Sequence, residues 1–443
     1  MSSKPDISRR QFVAGSAAAI SAFTIIPRHV LGQPGQPSAN NKLNVASVGV
    51  GGMGSGDIRN VPTENVVAIC DVDANHANNA AKNFPGAKVY SDFRKMLETQ
   101  KEIDAVMCAT PDHNHAVVSM MAIKLGKHVF CQKPLAHSVH ECLALAKAAK
   151  EAKVATQMGN QGQASEESRL TCELIWAGAV GKVREIHSWS NRQPDISQRG
   201  IPRPKDTPPV PANLNWDLWL GPSPERPYHP CYLPFVWRGW WDFGTGVMGD
   251  IGCHNLSAAF KALKLGWPAS VEACSTHWNA PAEIKHETAP LASIVTFKFA
   301  AEGERPELVL KWYDGGMMPP LPDEAEGRNI FVNDGTLIVG DKGKMLWHRL
   351  LPDAKMKEFG KPPQVLPRSP GHYREWVDAC KGGPPAGSNF VDHAGPLAAV
   401  VLMGNIAIRT QEKLLWDAEK LQFKNSEAAN RLLNPPYRQG WSL

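Results

Sequence analysis

The chain has no Cys-x-x-Cys pair, no long uninterrupted apolar run and no stripe of basic residues interleaved with aromatics. Its nine cysteines are an odd number scattered over 443 residues, so neither a disulfide framework nor a structural zinc site is expected. Cys70, Cys108 and Cys131 lie inside apolar, strand-like segments, where cysteine serves as a small hydrophobe. The net charge is only +5, and Lys4, Arg9, Arg10 and Arg28 supply most of the excess, which argues against a nucleic-acid partner. No internal repeat is visible. What is present is a globular balance, 43% hydrophobic and 21% charged, over a length that predicts two domains.

At the N-terminus, Ser8-Arg9-Arg10-Gln11-Phe12 precedes VAGSAAAISAFTII, a moderately apolar stretch of small residues. Twin arginines before such a region are the pattern of a Tat export signal. The stretch is too short and too weakly apolar for stable membrane insertion. We expect a signal over residues 1–32, a linker over 33–42, cleavage between Pro27 and Ser38, and a periplasmic product carried folded by the Tat translocase. The alternative is a surface helix that happens to carry two arginines.

The run LNVASVGVGGMG, Leu43 to Gly54, reads as a buried β-strand and breaks at a cluster of glycines before a predicted helix. Gly49, Gly51 and Gly54 fit G-x-G-x-x-G at a strand-to-helix junction, where they permit a tight turn, close approach to a pyrophosphate and close packing. The helix start offers amides to an anion. A second apolar strand, NVVAICDVD, ends at Asp71, 17 residues beyond Gly54, near the spacing at which an acid meets ribose hydroxyls. An acid there favours NAD over NADP, whose 2′-phosphate it would repel. The alternatives are a plain Gly-rich turn and a solvated aspartate.

Strands are predicted at 43–49, 65–71, 87–90, 103–108, 127–131 and 154–157, with helices at 55–61, 74–83, 92–99, 113–125 and 138–151. Such alternation predicts a parallel, doubly wound sheet of the Rossmann type over 43–158. Two strand ends carry chemistry at the carboxyl edge, where open sheets bind ligands. One reads Ala109-Thr110-Pro111-Asp112-His113-Asn114-His115, its histidines read as polar loop or capping groups rather than metal ligands. The other reads Cys131-Gln132-Lys133-Pro134, where Lys133 would point at the nicotinamide end of the cleft and the proline fixes the backbone.

Together, G49-x-G51-x-x-G54, CDVD at 70–73, ATPDHNH at 109–115 and GKHVFCQKPL at 126–135 resemble the Gfo/Idh/MocA oxidoreductases, which include sugar and inositol dehydrogenases. The resemblance implies a Rossmann domain followed by a C-terminal α/β domain, residues 159–443, with a large, open, mostly antiparallel sheet. It implies NAD, or NADP, held by Gly49, Gly51, Gly52, Met53, Gly54, Asp71, Thr110, Pro111, His115, Gln132 and Lys133. It also implies a homo-oligomer and makes the lysine of a Glu-Lys-Pro motif catalytic, a position held by Lys133. Gln132 stands where the motif has glutamate, keeping the shape and removing a charge.

In the second domain a helix is expected near 163–177 and a strand at Val183–Ser190. Residues 191–241 carry eleven prolines and five of the fourteen tryptophans, a composition for an ordered arm rather than a sheet. Trp216, Trp219, Tyr228, Tyr232, Trp237, Trp240 and Trp241 either pin the arm or offer flat walls to a sugar. Tyr232, Arg238 and Trp240 are the substrate candidates, with His229 as a further polar contact. In Gly244–His254, leading into NLSAAFKAL, Asp250 and His254 are four apart, on one face near a helix start, a spacing suited to proton handling. The resemblance supports that role, although the aspartate that usually follows the histidine is missing. Strands near 268–278, 290–300, 306–313, 329–339 and 344–349 complete the sheet, Gly315–Arg328 is expected to cap the cleft, and a helix near 393–412 is expected to be buried. The tail 434–443 carries no functional signal.

The expected activity is hydride transfer between nicotinamide and a hydroxyl-bearing carbon of a sugar, glycoside or polyol. His254 with Lys133 would take the hydroxyl proton, and Asp250 would orient the imidazole. Folded export suits a tightly bound cofactor acquired before translocation. The alternatives are a redox-neutral glycosidase or lyase that regenerates its cofactor each turnover, and a sugar-binding protein without catalysis.

Overall fold

The computed structural model describes residues 41–192 and 198–443. The expected export signal and most of the linker lie outside the described residues. The first sheet consists of β1 (Asn44–Val48), β2 (Asn65–Cys70), β3 (Lys88–Tyr90), β4 (Ala105–Cys108), β5 (His128–Cys131) and β6 (Thr156–Met158). Its order is β3-β2-β1-β4-β5-β6 and every pairing is parallel. The helices between them are α1 (Gly52–Asp57), α2 (Ala74–Asn83), α3 (Phe93–Thr99), α4 (Asp112–Lys124) and α5 (Val139–Ala152). Local chemistry starts them: Asp73 and Asp92 cap α2 and α3 with side-chain oxygens, and Ser138 with Glu141 forms a reciprocal capping box on α5. β4 is buried throughout, so its apolar run needs no alternation.

After α6 (Glu166–Trp176), β7 (Val183–Ser190) enters a second sheet, followed by the short α7 (Trp216–Leu220), α8 (Gly246–Asn255) and α9 (Ser257–Leu263). Then come β8 (Ser270–Ser275), α10 (Ala282–Lys285), β9 (Ser293–Phe299), β10 (Leu308–Asp314), β11 (Asp334–Gly340), β12 (Lys344–Leu346) and β13 (Arg349–Leu351). The chain closes with α11 (Asp353–Phe359), α12 (His372–Cys380), α13 (Gly395–Thr410), β14 (Leu414–Asp417), β15 (Gln422–Phe423) and α14 (Glu427–Leu433). The nine strands run β13-β12-β11-β7-β10-β9-β8-β14-β15, antiparallel except for the β7–β10 pair. The fold is thus α/β, a doubly wound parallel sheet beside a large, mostly antiparallel one.

Two expectations need correction here. α8 begins at Gly246, so Asp250 sits in mid-helix and His254 in its last turn, rather than near a helix start. Three glycines hid this helix, and packing explains them: a Cβ on Gly249 would lie 2.0 Å from Thr245 Oγ1, and one on Gly252 would lie 3.2 Å from Val401 of the buried α13. The loop 315–328 does not border the cleft; Lys344 of β12 holds it through Glu324 at 2.7 Å.

Candidate active site

The carboxyl ends of β1, β4 and β5 open onto a cleft of about 470 Å³, within the usual size for a small-molecule site. Gly49, Gly51, Gly52, Met53, Asp71, Thr110, Pro111, His115, Gln132 and Lys133 border it, as the sequence suggested. Gly54 lies underneath, where a Cβ would stand 1.9 Å from the carbonyl oxygen of Gly49. The turn therefore closes only on glycine. Gly51 caps α1 without a side-chain acceptor, which leaves first-turn amides for an anion. Asp71 accepts from the amides of Val50 at 2.8 Å and Asp73 at 2.9 Å, each oxygen keeping a lone pair for a ribose hydroxyl. An open turn above a close-packed glycine, uncapped amides and a fixed acid fit a dinucleotide.

The Pro/Trp-rich arm forms the outer wall. Its Asn213–Asn215 segment bonds the turn between β2 and α2, through Ala74 N to Asn213 O and Asn215 N to Val72 O. Trp219, Phe235, Trp237 and Arg238 of the arm and Trp441 of the tail border the cleft. Trp441 packs on Phe93 and lies under the Arg94 guanidinium, 4.5 Å from its ring centroid. Nothing in the tail's sequence, two prolines and a tryptophan among polar residues, signalled this.

Tyr232 and Trp240 are not substrate walls. They are 1% and 0% exposed, 4.9 Å apart between centroids, inside an aromatic cluster with Trp219 and Phe243 that pins the arm to itself. His229 faces Asp206 at 3.3 Å instead of the cleft. Trp219 and Trp237 of the candidate aromatics do border the cleft, joined by Phe235 and Trp441, and the Arg238 guanidinium packs on Phe235 and Trp237, at 3.9 and 4.2 Å.

Lys133 donates to Asp250 twice, to the backbone oxygen at 2.7 Å and to the carboxylate, and Arg238 Nε reaches the same carboxylate at 3.1 Å. Burial would raise the Asp250 carboxyl, but these two cations hold it well below the usual range. Asp112, at the first position of α4, takes the opposite course: burial pushes it up to about 7, although Thr245 donates to it at 2.7 Å. Asp112 borders the cleft and was missed, its acid hidden among the polar residues of ATPDHNH. His254 does not border the cleft; burial and the Lys133 charge lower its ring to about 3.

His115 borders the cleft, but its Nδ1 lies 2.7 Å from Pro134 O and its Nε2 2.9 Å from Thr110 O, so it ties two strand-end loops together. Cys108 and Cys131 lie beside it with ligand atoms within 4.8 Å of one another. With both imidazole nitrogens on carbonyl oxygens, that group is a packed junction. His113 is similarly engaged by Trp219 O at 2.8 Å and Phe243 O at 3.2 Å.

Residues 43–160 match the NAD-binding Rossmann fold of the GFO_IDH_MocA oxidoreductase family, and 203–275 with 331–443 match its C-terminal alpha/beta domain. Relatives include a 2,7-anhydro-N-acetylneuraminate hydratase of Escherichia coli, 31% identical over 160 residues, 35% of this chain and 42% of that protein. An inositol 2-dehydrogenase of Rubrobacter xylanophilus is 30% identical over 162 residues, 35% of this chain and 46% of that protein. The chain spans less than half the length of these curated relatives. Among solved structures, the WlbA dehydrogenase of Bordetella pertussis with NADH and UDP-GlcNAcA superposes with TM-score 0.58 at 17% identity, covering 85% of this chain and 99% of that one. Levoglucosan dehydrogenase with NADH and levoglucosan gives 0.54 at 19%, covering 84% and 96%. These structures share the fold. By its two matched domains, in the expected order and over most of its length, this chain belongs to the Gfo/Idh/MocA family of NAD-binding oxidoreductases.

Proposed function

We propose that this protein oxidises or reduces a hydroxyl-bearing carbon of a sugar, glycoside or polyol with NAD. The observation that carries the reading is Lys133, placed at the carboxyl edge of β5 in the cleft and anchored by Asp250. Two of its three N–H bonds go to Asp250, leaving one for a substrate oxygen. The bound nicotinamide supplies the hydride acceptor. Oxidation releases the hydroxyl proton, and His254, one helical turn from Asp250, has no hydrogen-bond partner among the described residues and a ring neutral above about pH 3. Because that ring does not border the cleft, the proton leaves through the cleft to solvent while Lys133 stabilises the developing oxyanion. Phe235 and Trp237 offer a sugar's C–H face an apolar surface.

Asp71 favours NAD over NADP. The twin arginines at Arg9-Arg10 support Tat export to the periplasm, where a cofactor bound before translocation, under the arm and Trp441, would be retained. The second reading, a redox-neutral reaction with internal cofactor recycling, is favoured by a relative named a hydratase, since hydration changes no net oxidation state. We further propose a homo-oligomer.

The test is to denature protein purified without added nucleotide and to identify and count released dinucleotide by mass spectrometry. Near one NAD(H) per chain supports retention and directs the search to redox-neutral glycoside chemistry. An empty protein that binds added NAD supports an ordinary dehydrogenase. Protein that is empty and binds neither NAD nor NADP overturns the reading.

A further inference from the structure

Asp57 ends α1 and is 1% exposed, yet no cation lies within salt-bridge distance of it among the described residues. Its carboxylate is instead held by two neutral donors. Gln132 Nε2 donates to Oδ2 at 2.8 Å, and the Tyr373 hydroxyl donates to Oδ1 at 2.6 Å. Tyr373 belongs to α12, more than three hundred positions along the chain, and accepts in turn from Gln161 Nε2 at 3.2 Å. Gln132 borders the cleft immediately before Lys133, with its amide seated over Gly159, where a Cβ would lie 2.5 Å from Gln132 Oε1. The end of α1, the strand end that carries Lys133 and α12 of the second domain thus converge on one carboxylate.

We propose that Asp57 is a positioning residue of the cofactor cleft: it supplies on α1 the buried carboxylate that the Glu-Lys-Pro pattern would place at position 132, and Gln132 supplies the amide, so that acid and amide form a pair whose members can exchange positions. This inference rests on the dinucleotide reading of the cleft. The exchange has a definite logic of donors and acceptors. A glutamate at 132 facing Asp57 would set two carboxylates at hydrogen-bond distance with no cation between them, and one would have to take a proton. An asparagine at 57 combined with that glutamate restores both bonds, with the polarity of the 57–132 bond reversed. Its oxygen accepts from Tyr373, and its amide donates to residue 132.

The experiment compares the full chain with Gln132→Glu, Asp57→Asn and the double variant, reading NADH affinity by fluorescence titration and Tm, at pH 5 and pH 8. We expect Gln132→Glu to bind NADH about tenfold or more weakly at pH 8 and to recover at pH 5, as the carboxyl pair shares a proton. Asp57→Asn alone is expected to be milder, because Gln132 can turn its oxygen toward the new amide. The double variant is expected to return to within a few-fold of wild type at both pH values. A double variant no better than Gln132→Glu in affinity and in Tm overturns the proposal, as does a Gln132→Glu defect that ignores pH. Should Gln132→Glu fail to fold, recovery or failure of the double variant decides the matter. If the wild type itself binds no NADH, the dinucleotide reading falls, and the Tm cycle at pH 8 still decides whether the two side chains are an exchangeable pair.

Discussion

Asp112 and Asp250 are both buried aspartates near one cleft, and their surroundings drive them apart. Asp250 meets Lys133 and Arg238 and stays ionised; Asp112 meets one threonine hydroxyl and is pushed up to about 7 by burial. The raised value fixes a sign. Below an unfolded value near 3.8 the carboxyl is protonated in both states. Between that value and about 7, unfolding releases a proton, so stability falls as pH rises, and above about 7 the penalty is complete. Asp112→Asn, which still accepts from Thr245, is expected to match wild type near pH 4 and to exceed it at pH 8, by roughly 2–4 °C per kcal/mol relieved. Thermal unfolding at the two pH values checks this; a gap that does not widen with pH refutes it.

At the scale of elements, the glycine turn separates two kinds of requirement. Gly52 has φ +44° and open space around its missing Cβ, whereas Gly54 has the carbonyl oxygen of Gly49 1.9 Å from that position. A backbone oxygen locked in the turn cannot yield. Gly52→Ala is expected to cost about 1 kcal/mol, the strain of a left-handed alanine. Gly54→Ala should cost roughly 1–3 kcal/mol or more and displace α1 from β1, abolishing measurable NADH binding. Fluorescence titration and denaturant unfolding of both variants check the contrast, which fails if the two lose affinity equally. The same steric argument explains α8. Propensity disfavours its three glycines, and only the partners packed against them show why a helix forms there.

Across the whole molecule, late segments return to complete the first sheet's site. Tyr373 bonds Asp57, Lys381 Nζ lies 2.7 Å from the buried Glu64, and Trp376 and Tyr373 pack on Phe130 of β5. In the tail, Tyr437 bonds Glu141 of α5, while Arg438 donates to Gly221 O at 3.1 Å and to Asp217 Oδ1 at 2.6 Å on the arm. Removing residues 434–443 is therefore expected to loosen the arm, lower Tm and weaken NADH binding about tenfold. Trp441→Ala alone should weaken NADH by a smaller factor, roughly 1 kcal/mol, with Tm nearly unchanged. Parallel NADH titrations and melts check both, and equal affinity in truncated and full chains refutes the role of the tail.

The sequence by itself determined the parallel sheet, the glycine turn, Asp71 and Lys133, because each depends on contacts local along the chain. Apolar runs of strand length, capping aspartates and glycines at a strand-to-helix junction announce themselves within about thirty residues. Only the tertiary structure decided that Tyr232 and Trp240 are core, that Phe235 and Trp237 reach the cleft, that Trp441 helps close it and that Gln132 answers to Asp57. An aromatic side chain buries the same area wherever the fold turns it, and a carboxylate at position 57 carries no mark of the amide 75 residues away that will donate to it. Those roles are set by packing between distant segments, which comes into being only when the chain has folded.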